Sequence, residues 1–140
     1  MFFLIHTSIF SNKDDLILKL SSKIAVKNMV IKGVDNLNNL YSIKNNELIK
    51  TSKEKTSFYR NNLYSNITSI DVKNSLKVKL FYENFNTLII LDNKLSEISK
   101  INFNVIDPDK IISKVSASND NNIWIYNELN SKLELFNYVN

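Results

Sequence analysis

Three stretches of the chain are variants of one unit, and this internal repeat limits the fold more than any single residue does. The first runs Val34-Asp35-Asn36-Leu37-Asn38-Asn39-Leu40-Tyr41-Ser42-Ile43. The second runs Tyr82-Glu83-Asn84-Phe85-Asn86-Thr87-Leu88-Ile89-Ile90-Leu91, and the third Ala117-Ser118-Asn119-Asp120-Asn121-Asn122-Ile123-Trp124-Ile125-Tyr126. Each joins an Asn-rich polar turn to a short apolar, β-branched or aromatic run. Leu40, Leu88 and Ile123 follow their turns at the same offset, about 48 and 35 positions apart. That is the spacing of stacked or radial β-repeats, and it assigns the three residues to equivalent buried strand positions in successive meanders. Such a pattern indicates an architecture and leaves the activity open.

At 140 residues the chain is large enough to bury a core in one domain. Its hydrophobic fraction of 44% and charged fraction of 23% are those of a globular protein. It has one glycine and one proline, while Asn makes up roughly one residue in six. Asn tolerates the left-handed backbone better than other residues with a Cβ, so it can replace Gly in tight turns. A mutational bias towards AT-rich codons would enrich the same residues, so no function is drawn from the enrichment.

Strand and turn signals divide the chain into three blade-like units, roughly 24–66, 67–106 and 107–140. Leu16, Leu18 and Leu20, then Ile24 and Val26, read as an early strand region. Val30 to Val34, Leu40 to Ile43 and a strand from Leu48 form a meander, with a turn at Lys44-Asn45-Asn46-Glu47. Thr51 to Asn66 is polar and reads as the end of that unit and its connection onward. Ile67 to Val72 is a further strand. In Leu76-Lys77-Val78-Lys79-Leu80 the period-two alternation puts the leucines and valine on one face and the lysines on the other. Leu88 to Leu91 is apolar throughout, as in a strand covered on both faces, and Leu95 to Phe103 completes the second meander. Asp107-Pro108-Asp109 marks a connection, after which Ile112–Val115, Ile123–Tyr126 and Leu133–Phe136 supply the third unit. The fold class expected is all-β, built of antiparallel meander repeats.

The segment Gly33 to Ile43 resembles the blade signature of NHL-type and related six-bladed β-propeller repeats: an Asp before a tight turn, then Gly-Asn, then an apolar–aromatic–apolar strand. Asn38 stands in the usual glycine place and Asn39 matches the usual asparagine. Asn121-Asn122-Ile123-Trp124-Ile125 fits equally well, and Asn86-Thr87 diverges. From Val30 onwards the chain also resembles exported, functionally uncharacterised propeller-like proteins of flavobacterial type, through Leu80-Phe81-Tyr82, Phe85-Asn86 and Leu91-Asp92-Asn93. The resemblance implies a fold far more than a function. Four-stranded blades at this spacing allow only three units, whereas closed propellers have about 4–8. The expectation is therefore a truncated or partial propeller, or a protomer that completes a ring by association. Open edges would favour self-association.

The chain carries a formal charge of +4, nearly all of its cations lysine and Arg60 its only arginine. Lysines scattered among acids suit a solvated surface better than base-edge readout, so no nucleic-acid partner is expected. There is no cysteine and no apolar run long enough to span a membrane. Residues 1–11, an apolar stretch ending at Ser11, resemble the hydrophobic part of a secretory signal without its basic flank, and imply export.

The single histidine, His6, lies in that stretch, and Gly33 alone makes no phosphate loop, so no catalytic constellation is visible and no cofactor is expected. The acids of Asp14-Asp15 and Asp107-Pro108-Asp109 read as solvated or turn-forming. Asp35, Glu83 and Asp120 are weak calcium candidates, since each sits among Asn side chains with alternating oxygens. Each loop has at most one acid, however, and Asx turns explain the same residues more simply. Tyr41 and Trp124 share a repeat position that Ile89 fills in the middle unit, which reads as core packing. Phe85, within a turn, and Trp124 are the candidates for an interaction surface. The function expected is a non-enzymatic scaffold that binds protein partners in a bacterial cell envelope, with a carbohydrate-binding or glycan-processing propeller as the alternative.

Overall fold

The computed structural model describes residues 18–21, 23, 25–119 and 121–139. The expected signal at residues 1–11, with His6, lies outside them, as do Asp14-Asp15, Leu16, Ile24 and Asp120. Leu18 to Leu20 belong to no strand and are exposed, as is Val26, so the expected early strand is absent over the described part of that region.

Three antiparallel sheets follow one another along the chain. The first contains β1 (Val30–Val34), β2 (Leu40–Lys44), β3 (Glu47–Thr51) and β4 (Thr56–Tyr59), paired in that order. The second contains β5 (Ser69–Asp71), β6 (Val78–Tyr82), β7 (Thr87–Leu91) and β8 (Glu97–Asn102). A single helical turn, α1 (Phe103–Ile106), leads to the third, made of β9 (Ile112–Ala117), β10 (Asn122–Asn127) and β11 (Lys132–Asn137). Every strand pairs with its sequence neighbour, so each sheet is a meander and the protein is all-β. The strand β4 lies within the stretch read as a connection: Tyr59 is buried there, and its hydroxyl donates to Glu97 Oε1 of the second sheet at 2.6 Å.

Asparagine does take glycine's place at the turns. Among the described residues with a side chain, eight have positive φ, and six of these are Asn: 28, 38, 45, 46, 66 and 86. The one glycine, Gly33, has no positive φ and serves a close approach instead. A Cβ there would lie 2.9 Å from Val72 Cγ2, so β1 meets the end of β5 only because that side chain is missing.

The sheets stack face to face, with the second in the middle. Val78, Leu80, Tyr82, Ile89 and Leu91 of the second sheet pack with Tyr41, Leu48 and Tyr59 of the first. The opposite face, with Phe81, Leu88 and Ile90, packs with Ile112, Ile123 and Ile125 of the third, and Phe103 of α1 joins them. Both β6 and β7 are therefore buried at every residue. The unbroken apolar run of β7 announces this, but the alternation in β6 does not. Lys79 is 4% exposed rather than solvated, because the third sheet covers the face expected to meet water. Leu76 precedes the strand and is exposed.

Matching the hairpins by the residue pairs that close them (Lys44 with Glu47, Tyr82 with Thr87, Asn127 with Lys132) aligns β2, β6 and β10. Leu40, Val78 and Ile123 are then equivalent, and Leu88 is not, since it lies in the third strand of its sheet. The meander does repeat, but its middle unit begins at Val72 rather than at Tyr82. Of the three residues assigned to buried strand positions, Leu88 and Ile123 are fully buried and Leu40 is half-buried.

Candidate functional site

The acid of the first repeat turn is committed to the turn itself. Asp35, 5% exposed, accepts at Oδ1 from the amides of Leu37 and Asn39, both at 2.9 Å. Its Oδ2 accepts from Asn39 Nδ2 at 2.9 Å and from the Tyr41 hydroxyl at 3.0 Å. Burial would raise the carboxyl's pKa, but the donors of Asn39, Leu37 and Tyr41 outweigh it and hold the group below its ordinary value. Burial, helped by Asp35, pushes the Tyr41 hydroxyl well up. A calcium ion here would have to displace four donors. Glu83 is half-buried in a 3-10 turn, Glu83–Phe85, at the β6–β7 hairpin. Among the described residues no three His, Cys, Asp or Glu side chains come together.

That hairpin is a structural latch. Asn86, at φ 47°, donates from Nδ2 to Asn104 Oδ1 at 2.7 Å and to the Lys110 carbonyl at 2.6 Å. Its Oδ1 accepts from the Ile112 amide at 3.2 Å, and its carbonyl from the Phe103 amide. One side chain thus ties the second sheet to α1 and to the start of the third. Phe85 beside it is half-buried, with its ring 5.0 Å from that of Tyr64.

Trp124 has a different setting. It lies on β10 at the position of Tyr41 in β2 and of Lys79 in β6, the place the sequence pattern assigned to Ile89 instead. Tyr41 is fully buried because the second sheet covers it, whereas Trp124 is 39% exposed on the outer face of the third sheet. Leu135 lies directly opposite it on β11, and Leu133 opposite Tyr126. Leu133 is 65% exposed and Leu135 50%. Trp124, Leu133 and Leu135 are exposed and Tyr126 is half-buried, so the four form an apolar stripe that the described residues leave largely open.

The indole also borders an open cleft of about 680 Å3 where the β5–β6 and β9–β10 turns meet. Lys73, Asn74, Lys77 and Lys79 line one side, and Ala117, Ser118, Asn119 and Trp124 the other. The Lys77 ammonium donates to Asn121 Oδ1 and sits 6.0 Å from the centre of the Tyr138 ring. The Lys79 ammonium reaches only the Lys77 carbonyl, at 3.5 Å. Burial lowers the Lys79 pKa and nearby Lys77 adds to this, while Asp71, its cross-strand neighbour on β5, opposes it. The oxygens of Asp71 are already engaged, accepting from the amides of Lys73 and Ala117. The sequence pattern picked out Trp124 but missed the lysines, because alternation with leucine made them look solvated. Asp120 belongs to the β9–β10 turn in sequence and lies outside the described residues.

Among the described residues no helix is long and apolar enough to cross a membrane. Comparison with protein-family models, with curated proteins and with solved structures gives no match.

Proposed function

We propose that this chain is a non-enzymatic, propeller-like binding module of the bacterial cell envelope, exported by its apolar N-terminal stretch, that docks a protein through the outer face of its third sheet. One observation carries the docking. Trp124, Tyr126, Leu133 and Leu135 occupy the positions through which the first sheet covers the second (Tyr41, Ile43, Leu48, Lys50) and the second covers the third (Lys79, Phe81, Leu88, Ile90). The outer face of the third sheet therefore has the composition of a face that receives another sheet. An uncovered apolar face of this kind marks an interaction site. The partner that fits is a further sheet of the same spacing, and a second copy of the chain supplies one.

The test is the mass of the purified chain by light scattering over a range of concentrations. A dimer that becomes monomeric in Leu133→Lys/Leu135→Lys, with an unchanged circular dichroism spectrum, is expected. A concentration-independent monomer for the unsubstituted chain would overturn the proposal. A second reading, carbohydrate binding, has its own observation: Trp124 also borders the polar cleft between the turns.

A further inference from the structure

We propose that the cleft between the β5–β6 and β9–β10 turns binds an acidic saccharide, with a uronate carboxylate held by Lys73, Lys77 and Lys79 and a sugar ring against Trp124; this rests on the carbohydrate reading and names its ligand class. Lys79, buried, is the least satisfied cation of the cleft. A lysine ammonium has three donors, and here one long contact to a carbonyl is all that the described residues offer it. Taking a charge out of water without full hydrogen bonding is costly. The same position holds Tyr41 in the first sheet and Trp124 in the third, so the backbone accepts a large side chain without charge there. Packing alone gives no reason for a cation, whereas an anion arriving in the cleft would complete its shell.

The remaining lining fits the same ligand. Lys73 and Lys77 lie on the same wall, and no carboxylate of a described residue lines the cleft; Asp71, behind Lys79, has its oxygens filled by backbone amides. Asn74, Ser118 and Asn119 offer donors and acceptors for sugar hydroxyls. The volume lies in the range of small-ligand sites, about 300–1,000 Å3. An exposed indole face packs against the C–H face of a pyranose ring. Single-stranded nucleic acid fits less well, because its binding uses successive aromatic platforms and this cleft has one aromatic and no arginine.

Trp124 is the only tryptophan in the chain, so its fluorescence reads this site directly. Titration with a polygalacturonate hexamer is expected to give a saturable change that weakens as salt is raised. Lys79→Met should weaken binding about tenfold or more while its thermal midpoint rises, since the substitution removes a buried charge. Lys73→Met, at an exposed position, should weaken binding without moving the midpoint, and it keeps the test decisive if the first variant folds poorly. An uncharged gluco-oligosaccharide that binds as tightly would overturn the acidic ligand and leave the carbohydrate reading standing. No fluorescence change with either sugar would overturn both. Tighter binding of a single-stranded DNA oligomer, or full affinity in both lysine variants, would also overturn the proposal.

Discussion

Asp35 shows how an Asn-rich chain with almost no glycine closes its turns. Two carboxylate oxygens take four donors from Leu37, Asn39 and Tyr41, so the side chain connects the turn's backbone to the core aromatic behind it. Bonds to a charged acceptor are stronger than neutral ones, and Asp35→Ala would strand buried donors, at a cost of about 2–4 kcal/mol in denaturant unfolding. The acid's pKa is lowered in the folded state. Its contribution is therefore present above the unfolded pKa and is lost as pH falls through the folded one. Stability should decline on acidification in the native chain and decline less in Asp35→Asn, compared by urea melts from neutral pH down to the acid range; parallel declines would show that Asp35 does not carry the effect. The role of Asn at left-handed positions was legible beforehand, because Asn38 stands where a repeat would place glycine, and its φ is 61°. The burial of Lys79 was not. Strand alternation reports which residues share a face, and a covering sheet more than thirty residues downstream decides whether that face is wet.

At the scale of elements, the strands themselves were mostly readable and their equivalence was not. Ten of the eleven strands coincide with apolar or alternating runs, whereas β4 is hidden in a polar stretch where only Phe58 and Tyr59 stand out. The slip in the middle unit has a simple origin. An Asn-rich turn closes the β1–β2 connection, where Asn38 has positive φ, and another closes the β6–β7 hairpin, where Asn86 does. Turn chemistry is the same in both places, so composition does not distinguish the two hairpins of the unit. Pairing says so at once. The approach of β1 to β5 gives a direct test. Gly33→Ala puts a methyl 2.9 Å from Val72 Cγ2, closer than two carbons can sit, so one of the two must give, and overpacking of this kind costs about 1–3 kcal/mol. Val72→Ala makes room at its own cavity cost. The double variant should therefore be less destabilised than the two single effects added together, by a measurable coupling. Strict additivity would mean that the two side chains do not meet.

The whole molecule is organised about its middle sheet. Leu80 points to the first sheet and Leu88 to the third, both fully buried, from adjacent strands of one ladder. Neither outer sheet buries its inner face without that ladder, so the three should unfold together rather than one by one, unlike a long repeat array in which stability is a sum of local terms. Links between sheets reinforce this: Tyr59 to Glu97 and Lys50 Nζ to the Asn93 carbonyl on one side, Asn86 to Ile112 and Asp71 to Ala117 on the other. Leu80→Ala and Leu88→Ala should each cost about 2–5 kcal/mol, since both leave a cavity in a two-sided core. Both should also shift the same single transition, seen alike by far-ultraviolet dichroism and by the fluorescence of Trp124 in the third sheet. If Leu88→Ala instead moved the tryptophan signal to lower denaturant while the bulk of the strand signal stayed in place, the third sheet would be an independent unit. The middle sheet would then not be the common support for the proposed docking at the outer face and the proposed binding in the cleft.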